Sequence, residues 1–192
     1  MIPKWSTALV TVTALGGACS SARPPPRESL ARPCSVFLLQ TPIHPVLALP
    51  DEQGGFVGYG FGDRTFMSTF DWREYPWGAW LVFAGLPGEF TRGAMERIRY
   101  RGTTRDELAR ETRMQIDELV VEGARVDELR RRLDSKIGGR VAELDWLFDT
   151  DDGYSLWWDN CHCATAAWLR ELGCEVPRIR LVPRFTGWRV ER

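Results

Sequence analysis

The chain of 192 residues has only two histidines, His44 and His162. Any imidazole-dependent chemistry must therefore run through one of two positions. Excess positive charge is also missing. There are 25 Lys and Arg against 26 Asp and Glu, a formal net charge of −1, so nothing marks a nucleic-acid-binding surface. No internal repeat is evident, and the one N-terminal apolar run is too short to span a bilayer comfortably. What is present is ordinary for a globular chain: 44% hydrophobic and 27% charged residues, which excludes wholesale disorder and a multi-span membrane protein. The length fits one domain, at roughly 150 residues per domain.

Residues 1–18 have the form of a secretory signal. Lys4 gives a positive start, and Trp5 to Leu15 is apolar and uncharged. The run Leu15-Gly16-Gly17-Ala18-Cys19 resembles a bacterial lipobox, which implies cleavage before Cys19 and lipidation of that cysteine. A plain secretory signal cut near Ala22 is the alternative. Residues 19–33 include Pro24-Pro25-Pro26, several Arg and few apolar side chains. They are expected to form an extended or disordered tether, with a folded domain over residues 34–192.

Within that domain, strands are expected at Ser35–Leu39, Ile43–Leu49, Phe56–Phe61, Trp80–Phe83 and Arg178–Val182. In the third of these, Gly alternates with large residues, as where another group approaches the backbone closely. Thr104-Arg105-Asp106-Glu107 has the form of a capping box. Leu108, Ile116, Leu119 and Val120 fit one helical face. Val126, Leu129, Leu133 and Ile137 step by 3, 4 and 4 and are stopped by Gly138-Gly139. The segment of about 93–140 is therefore expected to be a helical insertion. Asp159 or Asn160 can cap a last helix that Gly173 ends in the left-handed conformation. The expected fold class is α+β, an antiparallel sheet packed on the helix that bears Cys161.

Cys161 falls in the first turn of that helix, where N–H groups and the helix dipole favour a thiolate and could stabilise an oxyanion. A thiol nucleophile also needs a base within hydrogen-bond reach. His162 is the next residue on the same helix, and neighbours at i and i+1 do not face each other. That leaves His44, distant in sequence. The third, orienting residue is expected to be Asp63, with Asp51 second; the other reading of Asp63 and Arg64 is that they shape a turn. Cys161, His162 and Cys163 lack the second ligand pair of a zinc site, so no metal or other cofactor is expected. Cys34, Cys163 and Cys174 allow at most one bridge if Cys161 is reactive. The tryptophans, among them Trp72, Trp77, Trp80, Trp157 and Trp158, read as packing or as an aromatic cleft.

The segment Asp159-Asn160-Cys161-His162-Cys163-Ala164-Thr165-Ala166-Ala167-Trp168-Leu169 resembles the Asn-Cys helix of the circularly permuted NlpC-type, papain-like cysteine peptidases. That superfamily includes the lecithin–retinol acyltransferase branch. His44-Pro45-Val46-Leu47-Ala48-Leu49-Pro50 and Gly58-Tyr59-Gly60-Phe61-Gly62-Asp63-Arg64 are similar to blocks of an uncharacterised bacterial envelope family with the same order. Cys163-Ala164 and Phe61 depart from its pattern. The resemblance implies a permuted papain-like fold and a cell-envelope thiol hydrolase or acyltransferase. Cys161 would be the nucleophile, His44 the base and Asp63 the orienting residue, with Tyr59, Tyr154 and Trp158 binding substrate. The implied partners are a peptidoglycan peptide or lipid acyl substrate and a membrane reached through lipidated Cys19, with no nucleic acid. The rival expectation is a non-catalytic envelope lipoprotein that uses the same fold as a binding or structural module.

Overall fold

A computed structural model describes residues 20–40, 44–69, 91–141, 143–155, 159–176 and 188–190. The signal segment with Cys19, the strands expected at Trp80–Phe83 and Arg178–Val182, and all of Trp72, Trp77, Trp80, Trp157 and Trp158 lie outside the described residues. So do any contacts they make.

The chain is α+β. Six antiparallel strands form one sheet: β2 (Pro33–Gln40), β3 (Pro45–Pro50), β4 (Phe56–Asp63), β5 (Thr91–Tyr100), β6 (Gln115–Glu122) and β7 (Leu147–Tyr154), in the order β6-β2-β3-β4-β5-β7. A separate parallel pair joins β1 (Ser20–Ala22) to β8 (Trp188–Val190). The helices are α1 (Arg64–Thr69), α2 (Arg105–Thr112), α3 (Gly123–Ser135) and α4 (Cys161–Glu171).

Apolar alternation decides which face of each strand is covered. On one face Val36, Leu38, Leu47, Leu49, Val57, Tyr59 and Phe61 meet Val126, Leu129 and Leu133 of α3 and Trp168, Leu169 and Leu172 near α4. Each fully buried leucine here is worth about 1.5–3 kcal/mol. The other face packs Phe37, Leu39, Val46, Ala48, Phe56 and Tyr100 against Leu108 of α2 and Ile116.

The capping box forms as the Thr-x-x-Glu spacing predicts: Thr104 and Glu107 each accept from the other's backbone N–H at the start of α2. The stripe Val126, Leu129, Leu133 is the buried face of α3. The expected helical insertion over 93–140 is corrected at two places. Residues 91–100 are strand β5 across from β4, and residues 115–122 are strand β6 on the sheet edge. The helical spacing of Leu108, Ile116, Leu119 and Val120 misleads because α2 stops first. Arg113 takes the left-handed conformation at φ 57°, which reverses the chain and lays the β-branched run Val120-Val121 along β2.

Residues 20–32, expected as a tether, lie against the domain. Ala22 is in the core, and Arg23 exchanges backbone hydrogen bonds with Glu175 (3.0 and 2.8 Å). The Glu122 carboxylate accepts from the N–H groups of Ala31 and Arg32, and Arg32 pairs with Asp127.

Candidate active site

The site is assembled from three elements. α4 presents Cys161 at its first position. Asn160 caps the helix, its side-chain oxygen accepting from the Cys163 N–H at 3.0 Å. Gly173 follows the helix with φ 90°, the left-handed ending its position predicts. His44 lies one residue before β3. Glu96 lies in the middle of β5, opposite Gly60 of β4.

The structure brings Cys161 and His44 together. The imidazole is hydrogen-bonded by both the Cys161 thiol and the Glu96 carboxylate, and the His44 Nε2 to Glu96 Oε2 distance is 2.9 Å. Burial works against the imidazolium, but these two hydrogen bonds and the charges of both partners outweigh it and push His44 up to about 10. Glu96 is only 7% exposed. A buried carboxylate needs a charged or donating partner, and His44 is one.

The strand beneath the pair explains its glycines. Gly58, Gly60 and Gly62 occupy alternate positions of β4 and so share one face. A Cβ on Gly58 would stand 2.6 Å from the Tyr100 ring, and one on Gly60 would stand 2.6 Å from both His44 Nε2 and Glu96 Oε2. One on Gly62 would collide with the Met67 sulfur. The close approach expected from the Gly pattern is therefore made by side chains of neighbouring elements.

The remaining expected residues divide. Tyr154 is beside the thiol: burial pushes its phenol up, helped by the charges of Cys161, Asp63 and Cys163. Its ring packs against Phe61 with centroids 5.8 Å apart. Tyr59 is elsewhere. It is fully buried under α3, where its hydroxyl donates to Asp134 at 2.9 Å and Arg97 shares the same carboxylate. A core tyrosine with this partner does not line a substrate cleft. Trp158 is outside the described residues, as is Cys19. Asp63 does not hold the imidazole. Its Oδ1 accepts from the Phe66 N–H at 2.6 Å at the start of α1, the turn-shaping role. Asp51 closes the β3–β4 turn and pairs with Arg99.

Glu96 is the residue that sequence reasoning passes over. Its signal was available: Ala94, Glu96, Ile98 and Tyr100 alternate along one strand, and Glu96 is the one acid on an otherwise apolar face. Reading 93–140 as helical hid that alternation. His162 also lies in the site. Burial, and then the charge of His44, lower it to about 4, opposite in direction to His44.

None of the described cysteines (Cys34, Cys161, Cys163 and Cys174) is in a disulfide. Among the described residues no three His, Cys, Asp or Glu side chains gather as a metal site, and no helix is long and apolar enough to cross a membrane. No protein-family model, no curated protein and no solved structure matches the chain.

Proposed function

We propose that the protein is a thiol-dependent hydrolase or acyltransferase acting on an amide or ester carbonyl. The observation that carries this reading is the buried His44 imidazole, held between the Cys161 thiol and the Glu96 carboxylate at the start of a helix. With Nε2 engaged by Glu96, Nδ1 is the nitrogen suited to the thiol. With the proton of the Cys161 thiol passed to His44, the sulfur attacks the carbonyl carbon. The oxygen that becomes negative lies at the positive end of α4. His44 gives its proton to the departing amine or alcohol, leaving a thioester on Cys161. Neutral His44 then takes a proton from water, or from an acyl acceptor, as that group attacks the thioester; the C–S bond breaks and His44 returns the proton to the sulfur. Glu96 orients the ring and stabilises its charged form.

On this reading the fold is a permuted papain-like one. Its supports are the order of His44 before Cys161, the antiparallel sheet and the packing of α4 upon it. By the same resemblance the setting is the bacterial envelope, with lipidation at Cys19 and a peptidoglycan peptide or lipid acyl group as substrate. The test is labelling of the full chain with a fluorophosphonate-free, thiol-directed acyloxymethyl ketone probe. Labelling that maps to Cys161 and vanishes in Cys161→Ala supports the reading. Labelling undiminished in that variant sinks it, and a folded protein unlabelled at Cys161 points to the non-catalytic binding module.

A further inference from the structure

Glycine at position 60 is unusual for the centre of a six-stranded sheet, because it weakens the strand and gives it nothing to pack. Its neighbours explain what it does. Gly60 pairs directly with Glu96 across the β4–β5 ladder, so both point to the same face. His44 arrives over that spot from the adjacent strand β3. The space a Cβ would fill at Gly60 lies 2.6 Å from His44 Nε2 and 2.6 Å from Glu96 Oε2, and 3.3 Å from Glu96 Cβ. Those two atoms are the ones that meet at 2.9 Å.

We propose that Gly60 is a positioning residue for the Cys161–His44 pair, its missing Cβ being the space in which Glu96 and His44 meet. Any side chain at position 60 stands between the carboxylate and the ring. Both displaced groups are the far ends of side chains with rotatable bonds, so the strand keeps its place and the contact is what gives way. The ring then loses its charged partner and the register that presents it to the thiol. This rests on the proposed role of Cys161 and His44 only for its effect on reactivity; its effect on the imidazole is independent of that role.

The charged and titratable groups around the ring are few. Glu96 faces it from β5, and Cys161 and His162 from α4. Tyr100, on the same strand, feels the charge of Glu96. Tyr154 from β7 stands beside Cys161, with Asp63 of β4 and Cys163 near it. Glu96 is the carboxylate hydrogen-bonded to the ring.

Having two histidines makes the experiment simple. NMR titration of the full chain resolves both imidazoles, and a His162→Gln variant assigns them. In the parent protein His44 titrates on the alkaline side. In Gly60→Ala its midpoint moves down by about one unit or more, and alkylation of Cys161 by iodoacetamide at pH 7 slows because the ring is no longer held in register with the thiol. Glu96→Gln keeps shape and volume and gives the same shift. The double variant gives no more than either single one, because the contact is lost only once. Gly139→Ala, at a position with open space around it, leaves both readings unchanged.

An unshifted His44 midpoint in folded Gly60→Ala overturns the proposal. So do fully additive effects in the double variant. If Gly60→Ala does not fold, Glu96→Gln alone decides, since an unchanged midpoint there removes the contact Gly60 is said to allow. A shifted midpoint with no Cys161 reactivity in any variant would leave Gly60 as proposed and sink the enzyme. Normal reactivity with an unshifted midpoint does the reverse.

Discussion

Cys161 and Cys174 stand at opposite ends of α4, and both are buried, 8% and 5% exposed. Their surroundings differ in kind. Cys174 packs into the apolar core with Leu172 and Ala22, and burial alone pushes its thiol up to about 12. Cys161 begins the helix, with the first-turn N–H groups and the His44–Glu96 pair beside it. Equal burial thus gives one thiol packed among apolar side chains and one set beside an imidazole, the proposed nucleophile. What separates them is the partner and the end of the helix, not accessibility.

The largest expected break in this comparison is Cys161→Ala. It abolishes labelling by the thiol-directed probe, while Cys174→Ala leaves labelling intact, as peptide mapping after labelling would show. Next is His44→Ala, which lowers turnover of a thioester or ester substrate by about 10²–10⁴, the usual range for a general acid–base. Steady-state kinetics with circular dichroism as a folding check reads it.

A third prediction concerns stability. His44 is raised above its unfolded value of 6.5 to about 10. The stability it contributes is therefore complete below about pH 6.5 and is lost as pH rises through about 10. Urea unfolding free energies should fall across that interval, by at most about 1.4 kcal/mol per pH unit for one proton. The same series in His44→Gln should be flatter; an equal fall in both would assign the effect elsewhere.

At the inert end, Cys174→Ala should cost about 1–2 kcal/mol by opening a small cavity. The smallest effect is expected at Thr165, one turn below Cys161. Its hydroxyl is fully buried with no hydrogen-bond partner among the described residues. Thr165→Val removes a desolvated polar group at nearly constant shape, and the melting temperature should hold or rise slightly. A clear fall would reveal a partner for the hydroxyl.

Much of this comparison could be read from residue order alone. Asn160, Cys161 and Gly173 declare the two ends of α4 by their capping chemistry, which is local. Three central strands and the helix at Val126–Leu133 were legible for the same reason: each carries its own period. The choice of His44 also followed locally, because adjacent helical residues cannot face each other. The acid on His44 was not legible. Glu96 meets the ring only through the β4–β5 register, and register is a property of the assembled sheet. Strand β6 was hidden by a different cause. Its spacing imitates a helix, and only the left-handed turn at Arg113 excludes one. Tyr59 misled because its motif sits beside the site in sequence while its side chain is buried under α3, on Asp134.

The pairing of β1 with β8 bears on the order of folding. It joins residues 20–22 to residues 188–190 in parallel register, among the longest-range contacts the chain can make. Closing so large a loop is costly until the elements between are in place. The run β2-β3-β4 pairs between near neighbours in sequence and can assemble first. The strand that follows His44 is then expected to pair before the ring meets Glu96 and Cys161, and the N-terminal strand to wait longest for its partner. On refolding from denaturant, His44 and Cys161 are therefore expected to meet only after the strand beside His44 has paired.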